Sequence, residues 1–389
     1  MLRTAIGVSL CGFAACAAVG LDTRELAANP SVVYAPGTYP NVSTDFIRAL
    51  PKIEHHMHIE GALSPELLFK LAERNNVTSL SAGNFSTPDT LWERYRNWDG
   101  LADFVAVSEQ EMVVFQHERD YEDLAYSYLE RSHYDGLVYA EVNFLPEGHI
   151  SRGISMETVI RGLRRGLERG KTDFDIDTQL FACFSKTHNH TRTRATIDKL
   201  APFAQAGDII GLGAAGNEDG FPPSEFSDLY SYARSVGFQH FTIHAGETGP
   251  PSYVREAAFD LNLTRIDHAI SARSEPELLR QLAEKDVFVT VCRLSNVLLG
   301  VDGQVADAPL REFLDAGVKF SLNTDDPTFL GGSILTVYLK VQEAFGFDVA
   351  TWERIVSNSI DGSWTTDEHK DSLRRKLEAV MRQWDGKEL

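Results

Sequence analysis

The sequence predicts an α/β chain folded as a (β/α)8 TIM-type barrel, with extra helices capping its pocket. Three observations carry that expectation. Eight short apolar runs alternate with amphipathic stretches from Leu50 onward. The residues able to do chemistry stand at the ends of those runs, where a parallel barrel gathers its catalytic groups. No glycine-rich dinucleotide turn follows the first run, because Gly61 lacks the further glycines it needs. Gly211, Gly213 and Gly216 follow a later run at the wrong spacing. Alternation alone still leaves a doubly wound open sheet as the alternative.

Strands are expected over residues 52–59, 136–144, 177–184, 208–213, 240–245, 265–268, 287–292 and 319–323. Helices are expected over residues 64–75, 121–134, 155–169, 192–203, 223–236, 274–284 and 309–316. The first of these opens Ser64-Pro65-Glu66, a hydroxyl cap followed by proline at the first helical position. In the others apolar residues recur three and four apart. Residues 80–115 are too many for a plain loop and are expected to hold the capping helices. One barrel domain is therefore assigned to residues 44–389, preceded by a Pro/Gly-punctuated arm over 22–43. No internal repeat or low-complexity segment interrupts it.

Lys plus Arg number 37 against 56 Asp plus Glu, a formal net charge of −19, so no basic face for nucleic acid is expected. The uncharged run from Ala5 to Leu21 follows Arg3 and ends in small residues, with Ala15 and Ala17 at cleavage-site spacing. Residues 1–21 are thus expected to be a signal peptide or an N-terminal apolar extension. Only as an uncleaved anchor does this run meet a membrane. Asn-x-Ser/Thr sequons begin at Asn41, Asn76, Asn84, Asn189 and Asn262, which agrees with secretion; a cytoplasmic location is the alternative. Cys11 and Cys16 lie in the apolar run, leaving Cys183 and Cys292 in the body. Neither a disulfide framework nor a thiolate metal site is expected from them.

The strand ends supply a short list. His56 and His58 are two apart on the first strand and so share a face, while His55 and Met57 point away. The fifth strand ends His244-Ala245-Gly246-Glu247, the sixth Asp267-His268, and the eighth Asn323-Thr324-Asp325-Asp326-Pro327. Taken singly, each has a plainer reading as a packed histidine, a cap or a turn. As a set they make a nitrogen and oxygen site for a borderline divalent ion with an open position for water, which describes catalytic zinc. Iron(II), cobalt and manganese share the ligand preference. A metal lowers the pKa of water from near 16 to about 7, and a nearby His and Glu can move protons.

The ordered segments Leu50 to Gly61, Thr242 to Glu247, Arg265 to His268, Thr290 to Asn296 and Leu322 to Pro327 are specific. Through them the chain resembles the adenosine/adenine deaminase family of metal-dependent hydrolases, over roughly residues 50–344. The resemblance implies the same barrel and one Zn2+ per subunit, held by His56, His58, His244 and Asp325. It implies that Glu247 protonates purine N1, and that His268 orients and deprotonates the attacking water with Asp325 accepting a hydrogen bond. It places Asp326 at N7 and the Gly216 backbone at N3. Addition at C6 of an aromatic ring needs a proton on N1, so the acid must stay protonated near pH 7.

Ile59-Glu60-Gly61, Pro222-Pro223 and Thr248-Gly249-Pro250-Pro251 are similar to the adenine deaminase branch. Where Glu60 stands, the nucleoside branch usually has Asp; the longer acid fills space a ribose needs. Other positions depart from the branch. Residues 214–218 look partly nucleoside-like, Ala269 replaces a usual glycine, and residues 144–149 lack the usual Asp-Pro-Gln. Arg293 stands where proline is usual, leaving open a contact to an anionic substituent or a salt bridge away from substrate.

The expected reaction is hydrolytic deamination of adenine or a close 6-aminopurine to the 6-oxo product. Adenosine or a modified adenine is the alternative substrate. Hydrolysis of an amide, lactone or phosphoester on the same metal is a second enzyme class. A secreted binding protein with a vestigial site is a third reading, against which the complete ligand set speaks.

Overall fold

A computed structural model describes residues 42–78, 86–301, 303–387 and 389. The expected signal peptide and nearly all of the arm lie outside the described residues. The arm's end is helical: Val42–Ala49 forms a helix before the first strand.

All strand pairs are parallel. The strands are β1 (Lys52–His58), β2 (Leu137–Phe144), β3 (Asp177–Ser185), β4 (Gly211–Ala215), β5 (His240–Phe241), β6 (His244–Ala245), β7 (Arg265–His268), β8 (Phe288–Val291) and β9 (Lys319–Leu322). They run in order as β1 to β5 and as β6 to β9. The expected fifth strand over 240–245 is thus interrupted. At the break, Thr242 gives its carbonyl to the Tyr230 hydroxyl (2.6 Å) and its own hydroxyl to Asp267 Oδ1 (2.7 Å). Side-chain bonds replace ladder bonds there, while Thr242 N–H to Leu212 O and Asp267 N–H to Ile243 O keep the halves in the wall.

The barrel closes where β1 meets the end of β9. Met57 bridges Asp325, with His58 N–H donating to Asp325 O (2.7 Å) and Asp325 N–H to His56 O (3.1 Å). That closure carries the ligand-bearing ends of the first and last strands into one patch. Between Glu54 and Met57, β1 also carries one extra residue against β2, a bulge of the kind found beside active sites.

Helices cover the outside. Glu118–His133 packs on Met156–Phe174, where Gly162, Gly166 and Gly170 recur every fourth residue. A Cβ on Gly166 meets Glu122 O at 2.4 Å, so the close approach requires glycine. Pro88–Tyr95 and Gly100–Glu111 lie within the expected capping segment, and Leu101, Phe104 and Met112 line the cavity beneath. Ile334–Phe345, Val349–Gly362 and Asp367–Trp384 follow the last strand. No helix among the described residues is long and apolar enough to cross a membrane.

Candidate functional site

The ends of β1, β6, β7 and β9 converge. Ligand atoms of His56, His244, His268 and Asp325 lie within 4.8 Å of one another, all from buried residues. His58 joins through Asp325: its Nε2 stands 3.4 Å from Asp325 Oδ1, against 3.3 Å for His56 Nε2. His268, expected to handle the water, is therefore as close to the cluster as the expected ligands are. His56 Nε2 and His268 Nε2 are buried without a hydrogen-bond partner. Leaving such atoms unmet costs about 1–3 kcal/mol each. Imidazole nitrogens and a carboxylate turned to one point fit a divalent cation.

His268 and Asp325 both have positive φ, at 65° and 69°, and Ala269 has φ 51°. L-residues avoid that region, and strain of this kind collects at functional sites. At Ala269 the usual glycine is missing while the glycine-like backbone is kept.

Asp267, given no role from sequence, holds the cluster from below. It accepts from Thr242 Oγ1 (2.7 Å) and Thr290 Oγ1 (2.8 Å), and its Oδ2 faces His244 Nδ1 at 3.3 Å. Burial opposes its charge, but His56, His244 and the Thr242 hydroxyl hold it well below the usual carboxylate range. Because Thr290 spends its one O–H on Asp267, it accepts from His56 Nδ1–H at 2.9 Å. The His56 Nε2 lone pair is then left for the cluster.

Glu247 follows β6. Its Oε1 accepts from Asn296 Nδ2 (2.9 Å) and lies 3.6 Å from His268 Nδ1. Burial, then the charges of Asp325 and Glu218, push its pKa up to about 8. Glu218, buried and also unassigned from sequence, accepts from the backbone N–H of Gly246 (2.9 Å), Glu247 (3.3 Å) and Gly249 (2.7 Å), fixing the loop that carries Glu247. Lys186 donates to the His244 carbonyl from beneath and stands 3.8 Å from Glu218 Oε1.

A cavity of about 830 Å³ opens over the cluster, with Glu60, Gly216, Glu247 and Asp326 in its wall. Asp326 is held well above its ordinary pKa by burial and by the charge of Asp325. Gly61 backs it so closely that a Cβ there meets Asp326 Oδ1 at 2.1 Å. Gly216 has φ 96°, which explains glycine at that turn. Glu60 Oε1 accepts from Leu145 N–H (2.9 Å) and faces His149 Nε2 (3.0 Å). Burial opposes the Glu60 charge, but the His149 contact outweighs it and lowers the pKa.

Arg293 does not line this cavity. It is buried, and its Nε donates to Val305 O at 3.0 Å. Arg293 opens the helix Arg293–Leu298, and its guanidinium reaches the segment at Val305.

The chain matches the Adenosine deaminase family model over residues 51–380. A curated adenine deaminase from Saccharomyces cerevisiae is 41% identical over 342 residues, 87% of this chain and 98% of the relative. The crystal structure of adenine deaminase from Arthrobacter aurescens superposes with TM-score 0.80 at 34% identity, covering 86% of this chain and 99% of that one. An amidohydrolase from Burkhoderia ambifaria with bound Zn gives TM-score 0.78 at 25% identity, covering 91% and 98%. With its whole barrel inside the matched residues, the chain belongs to the adenosine deaminase family.

Proposed function

We propose that the chain replaces the 6-amino group of adenine with oxygen, consuming water and releasing ammonia, with zinc held by His56, His58, His244 and Asp325. The observation that carries this reading is Glu247, a buried carboxyl group kept uncharged up to about pH 8 beside an imidazole–carboxylate cluster. An acid held there can protonate the ring nitrogen of an aromatic amidine as C6 is attacked. The likeness to a Zn-bound amidohydrolase and to adenine deaminases supports the metal and the substrate.

When bound, the ion supplies hydroxide from water near neutral pH. The residues supply the rest. Glu247 gives its proton to N1 as C6 loses aromaticity, with Asn296 fixing the other carboxyl oxygen. His268, whose Nε2 is free, takes the proton from the attacking water, and Asp325 accepts the second hydrogen bond. Asp326, whose carboxyl is held well above its ordinary pKa, hydrogen-bonds N7. The backbone of Gly216 meets N3. Glu60, pinned by Leu145 and His149, narrows the side of the cavity where a ribose ring needs room.

The test is ammonia release by the zinc-loaded full chain, given adenine and adenosine in parallel, with Glu247→Gln as control. The reading requires ammonia from adenine, lost in Glu247→Gln with zinc retained. Full zinc with no ammonia from adenine overturns it, and faster release from adenosine overturns the role given to Glu60.

A further inference from the structure

β1 and β9 close the barrel, yet what joins them is a lone bridge, Met57 to Asp325. Beside it, side chains take the place of ladder bonds. Asn323, directly after β9, accepts on Oδ1 from the backbone N–H of both His55 (2.8 Å) and His56 (3.2 Å). In return Glu54 of β1 accepts on Oε1 from the backbone N–H (2.8 Å) and the hydroxyl (2.5 Å) of Thr324. Its other oxygen accepts from Tyr128 Oη–H at 2.6 Å. Each strand thus holds the other's main chain by a side chain. Glu54, His55, His56 and Asn323 are at most 1% exposed, so these backbone groups depend on the acceptors the fold gives them.

β1 carries its bulge at the same place, between Glu54 and Met57. A bulge leaves backbone groups without ladder partners, and buried ones must be met elsewhere. Asn323 meets two at once. The side chains register the consequence. His56 Nδ1 meets Thr290 Oγ1 (2.9 Å), and His55 packs edge-on against Phe288, with ring centroids 5.1 Å apart. Phe288 and Thr290 are two apart on β8 and so share a face. Successive residues of a regular strand face opposite ways, which is why the sequence alone expects His55 to point away. At the bulge that alternation fails, and both imidazoles reach one face of β8. His55 spends its nitrogens on Ser321 Oγ (3.0 Å) and Ser363 Oγ (2.9 Å), which leaves His56 to the cluster. On the other strand Asp325, next to Thr324, is held at φ 69°, a conformation that persists only where its surroundings over-determine it.

We infer that Asn323 and Glu54 are positioning residues for the metal cluster. Their reciprocal clasp fixes the advance of β1 against the end of β9. It thereby sets the approach of His56 Nε2 to Asp325 Oδ1, which is 3.3 Å. Neither residue lines the cavity. Asn323 acts through the main chain of His56, and Glu54 through that of Thr324. The inference rests on the metal site proposed above; the clasp itself stands in the fold without it.

The test measures zinc Kd on the full chain by competition with a chelator, at a temperature where every variant is folded. Amide hydrogen exchange over residues 52–58 of the metal-free protein reads the clasp directly. Asn323→Leu keeps the bulk and removes the acceptor. It should weaken zinc by roughly 10–100-fold and speed exchange at residues 55 and 56. Asn323→Asp keeps the accepting oxygen and loses only the donor to Ser321, so it should recover most of both effects. Thr324→Val has nearly the same shape and removes one donor to Glu54. It should weaken zinc by roughly tenfold, and it decides the matter if Asn323→Leu does not fold. A merely structural role would lower the melting temperature and leave zinc Kd of the folded protein unmoved. Wild-type zinc Kd in Asn323→Leu and Thr324→Val, or equal losses in Asn323→Leu and Asn323→Asp, overturns the inference. If the wild-type chain binds zinc and releases no ammonia from adenine, the proposed function falls, and the order of the zinc Kd values still decides the clasp.

Discussion

Asn296 donates its side-chain amide to Glu247 Oε1 at 2.9 Å, in a pair whose carboxyl group burial keeps uncharged up to about pH 8. One oxygen is thereby occupied and the other is left for the substrate. Glu247→Gln keeps the shape and the bond to Asn296 but has no proton to give. It should lower kcat on adenine by about 10²–10⁴-fold with zinc content unchanged. Steady-state kinetics beside metal analysis reads this. A variant retaining a tenth of the activity would remove Glu247 from the role of acid.

Asp267 does not line the cavity, yet it orients two imidazoles and fixes the Thr290 hydroxyl. Asp267→Asn replaces an acceptor with a donor beneath them. Zinc affinity should fall by roughly 10–100-fold, measured by competition with a chelator. Unaltered affinity would mean that the imidazoles are held by packing alone.

Gly61 admits no side chain, since a Cβ there lies 2.1 Å from Asp326 Oδ1 and 2.6 Å from its Cα. Backbone atoms cannot move aside as a flexible side chain can. Gly61→Ala should displace Asp326 and cost roughly tenfold or more in kcat/KM for adenine, while the zinc ligands stay loaded. Wild-type kinetics in this variant would show that Asp326 is not a positioned contact.

Outside the cavity wall, Glu111 is fully buried and accepts from Tyr95 Oη–H at 2.6 Å. Burial raises its pKa to about 8. The unfolded chain ionises it near 4.5, so between those values the folded state binds more protons and stability falls as pH rises. Glu111→Gln removes that proton linkage. Its stability should match wild type near pH 4 and exceed it at pH 8 by on the order of 4 kcal/mol, read as a higher melting temperature. A constant offset across that range would deny the linkage.

The barrel was readable because its strands and its chemistry coincide. Residues 265–268, expected as a strand, form β7 with those bounds, and its last residue belongs to the cluster. The expectation over 208–213 sits early against β4 (Gly211–Ala215), because Asp208 N–H still bonds Phe203 O at the end of the preceding helix. Gly-Leu-Gly-Ala-Ala carries no β-branched residue to mark its start. The helices after β9 lie where strand–helix alternation has ended. Their signals are the caps, Asp348 accepting from Thr351 N–H and Thr366 from His369 N–H.

Of the site, His56, His244, His268 and Asp325, which the structure brings together, stood at strand ends and were legible. Asp267, Glu218 and Lys186 were not, since they act through other residues: through threonines, loop N–H groups and a carbonyl. Distances between strands decide those roles, and spacing along the chain does not report them. Arg293 shows the converse: a conspicuous residue in a recognised motif faces Val305 rather than the cavity.

The most direct measurement is a zinc titration of metal-free protein, read as ammonia released from adenine. The account predicts activity that rises in proportion to bound zinc and stops at one ion per chain, with His56→Ala neither binding the ion tightly nor turning over. Ammonia release from fully chelated protein, or one tightly bound zinc per chain with no release, would contradict it.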